Sequence, residues 1–337
     1  MIYRRLNINL TQYCDNMWWF IIIVILVAVL SIPSFLVANK LLKKTGWWKN
    51  QFLATAQFDL HGREVKYDVV NLGSNPSRFA FFYENVLGQS FATGSQSQAM
   101  DLAILKSYRH QIKDGGTVLV AIMPFTSIAT YLKERPEYWN TSYYAKFAKI
   151  LNAEERSKLP DSSSLMTYLK YPLLSNVRLL KQLVFGWHRD NRYDITEQPL
   201  MHVELQDNAQ KWIDGWLKEF RLKSLEEVFD SRWHGYYQEA IGLCKEVVNY
   251  CKQEDLKPVF ICVPMSHYLS DLFPADVRKF LVTDFVNACN EHNIPFLDYT
   301  LDPDFQDASL YFDSFFLNMR GRKLFTRRVL KDLGFEN

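Results

Sequence analysis

The feature that most constrains this chain is an uncharged apolar run near its N-terminus. Residues 17–38 read MWWFIIIVILVAVLSIPSFLVA, without one charged side chain. At about 1.5 Å per residue, such a helix reaches across the ~30 Å hydrocarbon layer of a bilayer. A cleaved signal peptide is the rival interpretation, but its apolar core is shorter than this run. The run therefore predicts a retained transmembrane helix over 17–39, between a tail at 1–16 and a linker at 40–64.

The charges that flank the run bear on its orientation. The lysines that follow it are Lys40, Lys43, Lys44 and Lys49, whereas only Arg4 and Arg5 precede it. Positive charges favour the cytoplasmic side of a span, so this count favours a cytoplasmic C-terminal region. Long following domains translocate largely regardless of such charges, so the count can be overruled.

Composition limits the chemistry of the remaining chain. Lys and Arg total 39 against 37 Asp and Glu, so no global charge points to a nucleic acid partner. Asp302, Asp304 and Asp307 lack the glycine and closing glutamate of a calcium loop. There is no CxxC pair, so we predict no metal and no cofactor. The cysteines expected to be buried and free are Cys244, Cys251, Cys262 and Cys289.

Helical and strand patterns alternate along residues 65–337, apart from one stretch. This alternation predicts an α/β domain whose parallel sheet is covered on both faces. The predicted strands are 66–73, 117–124, 257–264 and 294–299, and the predicted helices are 98–113, 234–254, 274–292 and 319–333. Asp114, Gly115 and Gly116 are predicted to form a turn. Residues at about 125–233 show helical pieces and no convincing strand, so they are predicted to be an insertion.

The carboxyl ends of the predicted strands indicate where a ligand site lies, because ligands of open parallel sheets bind there. The residues selected by this rule are Gly73, Ser74, Asn75, Ser77, Arg78, Pro124, Ser266, His267 and Asp313. His267 is the histidine best placed for a site. Trp212 and Trp216 stand one helical turn apart and could stack on sugar rings, although core packing is the commoner role of such pairs.

Three segments carry a resemblance to a known family. VVNLGSN after the first strand, SFATGSQSQAMDLAILKSYRHQIKDGGTVLVAIMPF in the middle and FDSFFLNMRGRKLFT before the last helix resemble the SGNH (GDSL-type) hydrolase superfamily. The most similar subgroup is that of the membrane-anchored DltD-like and alginate-acetylation-like proteins. The resemblance covers about 65–125 and 234–333. It implies a flavodoxin-like three-layer fold.

The resemblance also implies which residues would stand in a catalytic triad. In that family the strand ends in Gly-Asp-Ser or Gly-Ser-Ser, and the last block reads Asp-x-x-His-Leu-Asn. Gly73 and Ser74 match, but Asn75 stands at the nucleophile position. Asp313 is kept, but Phe316 stands at the histidine position. An amide and a phenyl ring cannot perform Ser-His chemistry, so the resemblance implies a catalytically degenerate site.

The resemblance implies a role in the O-acylation (acetylation) of a cell-envelope or secreted polysaccharide. The chain would be a binding or accessory subunit on the extracytoplasmic side, beside a multipass membrane-bound O-acyltransferase. A first alternative is an active acyltransferase or esterase with a rearranged triad that uses Ser74 or Ser77 with His267. A second is a membrane scaffold unrelated to acylation, which would keep the cytoplasmic orientation.

Overall fold

The computed structural model describes residues 2–52, 65–135, 137–188 and 201–335. The chain forms two compact units. The first contains residues 1–52 and 163–190, and the second contains 53–162 and 191–337. The predicted insertion is thus divided between the two units, which the sequence did not indicate.

The first unit contains the predicted apolar helix. It runs over Ile2–Leu42, and its portion Met17–Leu42 is the one helix among the described residues that is long and apolar enough to cross a membrane. The prediction of such a helix is confirmed. Within the predicted linker at 40–64, the long helix continues to Leu42 and the helix Gly46–Gln51 follows, capped by Thr45. Residues 53–64 lie outside the described part.

The rest of the first unit consists of short helices. Apolar side chains of these helices and of the end of the long helix form its interior. The helical segments are Ser162–Lys170, Pro172–Ser175, the 3₁₀ turn Val177–Lys181 and Gln182–Phe185. The buried residues include Leu42, Trp48, Tyr168, Leu173 and Leu179.

The second unit is built on a parallel sheet, as predicted. Within the described residues its five strands are β1 Tyr67–Asn71, β2 Gly88–Ser90, β3 Ile112–Ala121, β4 Lys257–Cys262 and β5 Phe296–Asp298. All neighbours are parallel, and their order is β2-β1-β3-β4-β5. The central strands carry apolar side chains on both faces, which is what coverage by helices on both sides requires.

Two predictions about the segment that joins the first predicted helix to β3 are wrong. The glycine pair was predicted to be a turn, but Asp114–Gly116 lies inside β3, and the helix Gln98–Tyr108 ends earlier than predicted. The register between β1 and β3 is irregular here, and Gly115 adopts a φ of 71° while its N–H donates to Asp255 O at 2.7 Å. A bulge therefore absorbs the glycines. The strand β2 has only three residues and no apolar alternation, so the sequence pattern did not predict it.

Helices cover the sheet and form the described part of the insertion. No strand lies between residues 125 and 233 in the described segments, as predicted. The remaining helices are Asn75–Arg78, Thr141–Ala148, Ala153–Ser157, His202–Phe220, His234–Gln253, His267–Ser270, Ala275–Arg278, Phe285–Cys289 and Met319–Asp332. A π-helical turn, Lys279–Asp284, joins two of them. The 3₁₀ segments are Arg109–Gln111, Thr126–Glu134, Leu225–Phe229, Ser231–Trp233, Pro303–Phe305 and Ala308–Leu310.

The cysteines of the second unit are core residues. Cys244, Cys251, Cys262 and Cys289 are buried and free, which confirms their prediction. Burial raises the pKa of the Cys251 thiol to about 12, so that thiol stays protonated and inert at neutral pH.

Candidate functional site

A cavity of 290 Å³ lies where β1 and β3 end. The chain leaves β1 toward β2 on one side, whereas β3 leads to β4 on the other, so these two carboxyl ends flank the point where the strand order reverses. Open parallel sheets bind ligands at such a point. The strand ends contribute Gly73, Ser74, Asn75, Met123, Pro124 and Phe125 to the wall.

The turn after β1 depends on Gly73. Its φ is 114°, and a Cβ atom there would lie 3.0 Å from Ala121 Cβ and 3.1 Å from Ser77 Cβ. Ser77 is fully buried; its hydroxyl donates to Leu72 O at 2.7 Å and accepts from Asn71 Nδ2 at 2.9 Å. Ser77 therefore stabilises the turn and does not face the cavity.

Ser74 and Asn75 are the two polar residues that the turn presents to the cavity. Ser74 is the N-cap residue of the helix Asn75–Arg78, but its hydroxyl makes no capping hydrogen bond. The Oδ1 atom of Asn75 is buried and has no hydrogen-bond partner among the described residues. Buried acceptors are normally satisfied, so this oxygen is an open position for a ligand or water donor.

A buried carboxyl group supports the turn, and sequence reasoning missed it. Asp101 lines the cavity, and its Oδ1 accepts from Gly73 N at 2.9 Å and from Gln96 Nε2 at 2.6 Å. Burial raises the pKa of Asp101 to about 7, although both hydrogen bonds act to lower it. Gln96 is in turn fixed by Thr93, whose N–H and hydroxyl donate to Gln96 Oε1. In the sequence, Asp101 is only an acidic residue in the first turn of a helix.

The third segment that carries the resemblance, residues 312–326, contributes Phe315 and Phe316 to the wall of the cavity. Phe316 lines it, with its ring centroid 5.1 Å from that of Phe79 and 5.2 Å from that of Trp212. Asp313 Oδ1 accepts from Phe315 N at 2.8 Å and Phe316 N at 2.6 Å, and the Trp212 indole also donates to this carboxylate. Burial raises the pKa of Asp313. Asp313 therefore shapes the turn that positions Phe316, and it does not itself line the cavity.

His267 lies apart from the cavity lining. Its Nδ1 is 3.0 Å from Gln306 O, and its ring centroid is 3.9 Å from that of Tyr268. The adjacent Ser266 is fully buried and donates to Ser314 O. Among the described residues that line the cavity there is no histidine. The structure thus brings Gly73, Ser74, Asn75 and Phe316 together but leaves His267 out.

One helix of the insertion supplies an aromatic wall. Trp212, Trp216, Glu219 and Phe220 line the cavity from the helix His202–Phe220, at a spacing that puts them on one face. Asn208 fastens this helix, because its Oδ1 accepts from the Ser314 N–H at 3.1 Å and hydroxyl at 2.6 Å. The tryptophan pair was expected in a core; it both packs there and faces the cavity. No local pattern shows that this helix lies at the sheet edge.

The charges in the lining are all acidic. Asp101 and Glu219 are the carboxylic acids in the wall, and among the described lining residues there is no lysine or arginine. Burial raises the pKa of Glu219, although nearby Arg135 acts to lower it. The cavity therefore offers hydrogen bonds and aromatic faces, but no cation for an anionic ligand.

A second cavity, of 350 Å³, adjoins the first. The two share Ser97, Gln98, Ala129 and Trp139 in their walls. Both amide atoms of Gln98 and the indole nitrogen of Trp139 are buried without a partner among the described residues. Unpaired donors and acceptors therefore stand at the junction of the two cavities.

Comparisons with known proteins identify no family. No family model matches the sequence, and no curated protein matches it. Within the described residues, no group of three His, Cys, Asp or Glu side chains is placed to hold a metal ion.

Proposed function

We propose that this chain is a membrane-anchored, flavodoxin-like SGNH-type protein that binds polysaccharide without hydrolysing it. It would serve O-acylation of a cell-envelope or secreted polymer, on the extracytoplasmic side and beside a multipass membrane-bound O-acyltransferase. The observation that carries the proposal is that Asn75 and Phe316 face one cavity at the carboxyl edge of the sheet. In the family that the chain resembles, the catalytic serine stands at the position of Asn75 and the catalytic histidine at the position of Phe316.

The lining supports a sugar ligand. Trp212, Trp216 and Phe316 offer flat apolar faces, while Asn75, Gln98 and Trp139 offer unsatisfied hydrogen-bonding atoms. Sugar rings combine apolar faces with hydroxyl groups that both donate and accept, so this mixture suits them. The lack of lysine and arginine in the described lining of the first cavity favours a neutral or O-acylated sugar there over an anionic one.

The adjoining second cavity supports a chain ligand. Each cavity is near the lower end of the ~300–1,000 Å³ range of ligand pockets. A linear oligosaccharide could extend from one to the other past Gln98 and Trp139, whose unpaired atoms would receive hydroxyl groups.

The degenerate site is tested with a serine-directed fluorophosphonate probe. We expect no labelling of the full chain, because Asn75 has no hydroxyl and the lining of the cavity contains no imidazole among the described residues. Asn75→Ser alone should also stay unlabelled, since no base would activate the new hydroxyl. Labelling of the unmodified chain that disappears in Ser74→Ala would contradict the proposal and favour the rearranged triad, for which Ser74 is the well-placed serine.

Binding is tested by calorimetry with partially O-acetylated cello-oligosaccharides and the detergent-solubilised full chain. Trp216→Ala should weaken binding about 10-fold, the effect of losing one stacking face. Trp187→Ala is the matched control, because Trp187 is exposed in the first unit and lies outside the lining. Equal loss in both variants, or no binding by the unmodified chain to any oligosaccharide tested, would contradict the proposed ligand class and favour the scaffold alternative.

A further inference from the structure

A patch of exposed apolar side chains lies on the helical segments of the first unit, and none of these side chains lines either cavity. Leu174 and Val177 are each 65% exposed, Val184 is 69% exposed and Phe185 is 78% exposed. Met166, Leu180 and Trp187 are also exposed. Single exposed apolar residues are ordinary, but such a concentration over 22 residues marks an interaction surface.

The segments that carry this patch are joined to the end of the candidate membrane span. The Asn39 side chain accepts from Leu173 N at 3.0 Å, in the last turns of the long helix. The backbone N–H of Trp47 donates to Gly186 O at 2.8 Å, just beyond that helix. Both contacts lie within the first unit, so the patch stands beside the C-terminal end of the span.

Other apolar side chains of the same segments already pack into the interior of the first unit. Leu165, Tyr168, Leu173 and Leu179 are buried in the first unit, and the ring of Tyr168 lies 5.4 Å from that of Trp48. The exposed apolar residues are therefore additional to those that hold the segments in place. Packing of the unit does not explain them.

The charged side chains of these segments are all positive. Residues 162–188 contain Lys170, Arg178 and Lys181 but no aspartate or glutamate. Arg178 and Lys181 are exposed between the apolar positions. Exposed Leu, Phe and Trp together with interspersed cations are typical of segments that lie in the membrane interface and meet anionic headgroups.

We propose that residues 172–187 are embedded in the membrane interface next to the transmembrane helix. Leu174, Val177, Val184 and Phe185 enter the acyl region, and the basic side chains reach back to lipid headgroups. A membrane protein partner could cover the same patch, but exposed cations between the anchors are more typical of a lipid-facing surface than of the core of a protein interface. This inference does not depend on polysaccharide binding.

The test uses the full chain in vesicles of phosphatidylethanolamine and phosphatidylglycerol. Phe185→Cys and Val184→Cys are prepared separately in a Cys14→Ser background and labelled with an environment-sensitive NBD maleimide; the four cysteines of the second unit are buried and do not react. Val29→Cys, exposed in the middle of the apolar helix, is the hydrocarbon reference. NBD-cysteine in buffer is the aqueous reference. Two labelled positions keep the test valid if one variant does not fold.

We expect both labels to emit at shorter wavelength than the aqueous reference, to be protected from iodide, and to be quenched by lipids with a nitroxide high on the acyl chain. Val29 should respond more strongly to a nitroxide deeper in the chain. Iodide quenching equal to that of the aqueous reference would overturn the proposal. A blue-shifted label that no nitroxide lipid quenches would also overturn it, because protein would then cover the patch.

Discussion

At the scale of single residues, the turn that lines the cavity is held by a carboxyl group, that of Asp101. This residue is not at any of the triad positions that the family resemblance implies. Asp101 holds the Gly73 N–H, and thus fixes the backbone from which Ser74 and Asn75 reach the cavity. Its burial makes the charged form unfavourable, so the group is close to half-protonated near neutral pH. The shape of the turn and the charge in the cavity are therefore linked.

This link predicts a pH dependence of stability. The pKa of Asp101 in the folded state, about 7, is above that of an unfolded aspartate. The stability that this difference gives the folded state is therefore fully present below pH ~4 and is lost as the pH rises through about 7. The free energy of unfolding of the natural chain, relative to Asp101→Asn, should therefore fall by about 1–3 kcal/mol between pH 5 and pH 8. Urea unfolding at several pH values measures this difference.

Asp114→Asn is the control for that experiment. Asp114 is an exposed acid whose pKa is lowered by Arg109, so it is ionised throughout that pH range in both states. Its replacement should shift stability equally at pH 5 and pH 8. A pH profile of Asp101→Asn parallel to that of the natural chain would show that Asp101 does not titrate there.

At the scale of elements, two glycines in helices predict opposite responses to alanine. A Cβ atom at Gly321 would lie 2.2 Å from Leu310 O, so Gly321→Ala must displace backbone and should destabilise the second unit by about 1–3 kcal/mol. Gly242 has nothing within 4 Å of the same position, so Gly242→Ala should stabilise by about 0.5–1 kcal/mol through helix propensity. Thermal unfolding of both variants checks the pair; equal shifts would refute the close approach at Gly321.

The strand ends could be predicted from the sequence because apolar runs are local. Residues 66–73 and 117–124 show such runs, so the placement of Ser74, Asn75 and Pro124 at one edge followed from the rule for parallel sheets. The bulge at Gly115 was missed because it depends on the neighbouring strand and on Asp255, 140 residues away. The local sequence Asp-Gly-Gly at 114–116 is typical of a turn, so it favoured a chain reversal where β3 continues.

The aromatic wall shows what local patterns cannot provide. The spacing of Trp212 and Trp216 predicts that they share a helix face, but not what this face contacts. That depends on tertiary contacts such as the one between Asn208 and Ser314, which join residues 106 positions apart. Asp101 was missed for a similar reason, since its burial depends on the turn that it supports.

At the scale of the whole molecule, the orientation of the candidate membrane span would decide on which side of a membrane the second unit lies. The family resemblance predicts that residues 50–337 lie outside the cytoplasmic membrane, against the lysine count that follows the span. Protease added to intact spheroplasts should then digest this region, whereas a cytoplasmic marker protein stays intact. Full protection of the region until the membrane is lysed would contradict this placement and the polysaccharide role that depends on it.

The strand order has a consequence for how the chain acquires its structure. Thr117 of β3 pairs with Lys257 of β4, 140 residues later, and at 5–20 residues per second the ribosome needs roughly 7–30 s to make that distance. During this interval one side of β3 has no hydrogen-bonding partner, and its apolar residues cannot be covered. Nascent chains with such an open edge are prone to aggregate. Efficient production of this protein should therefore depend on a holding chaperone that binds the first half of the second unit until β4 emerges.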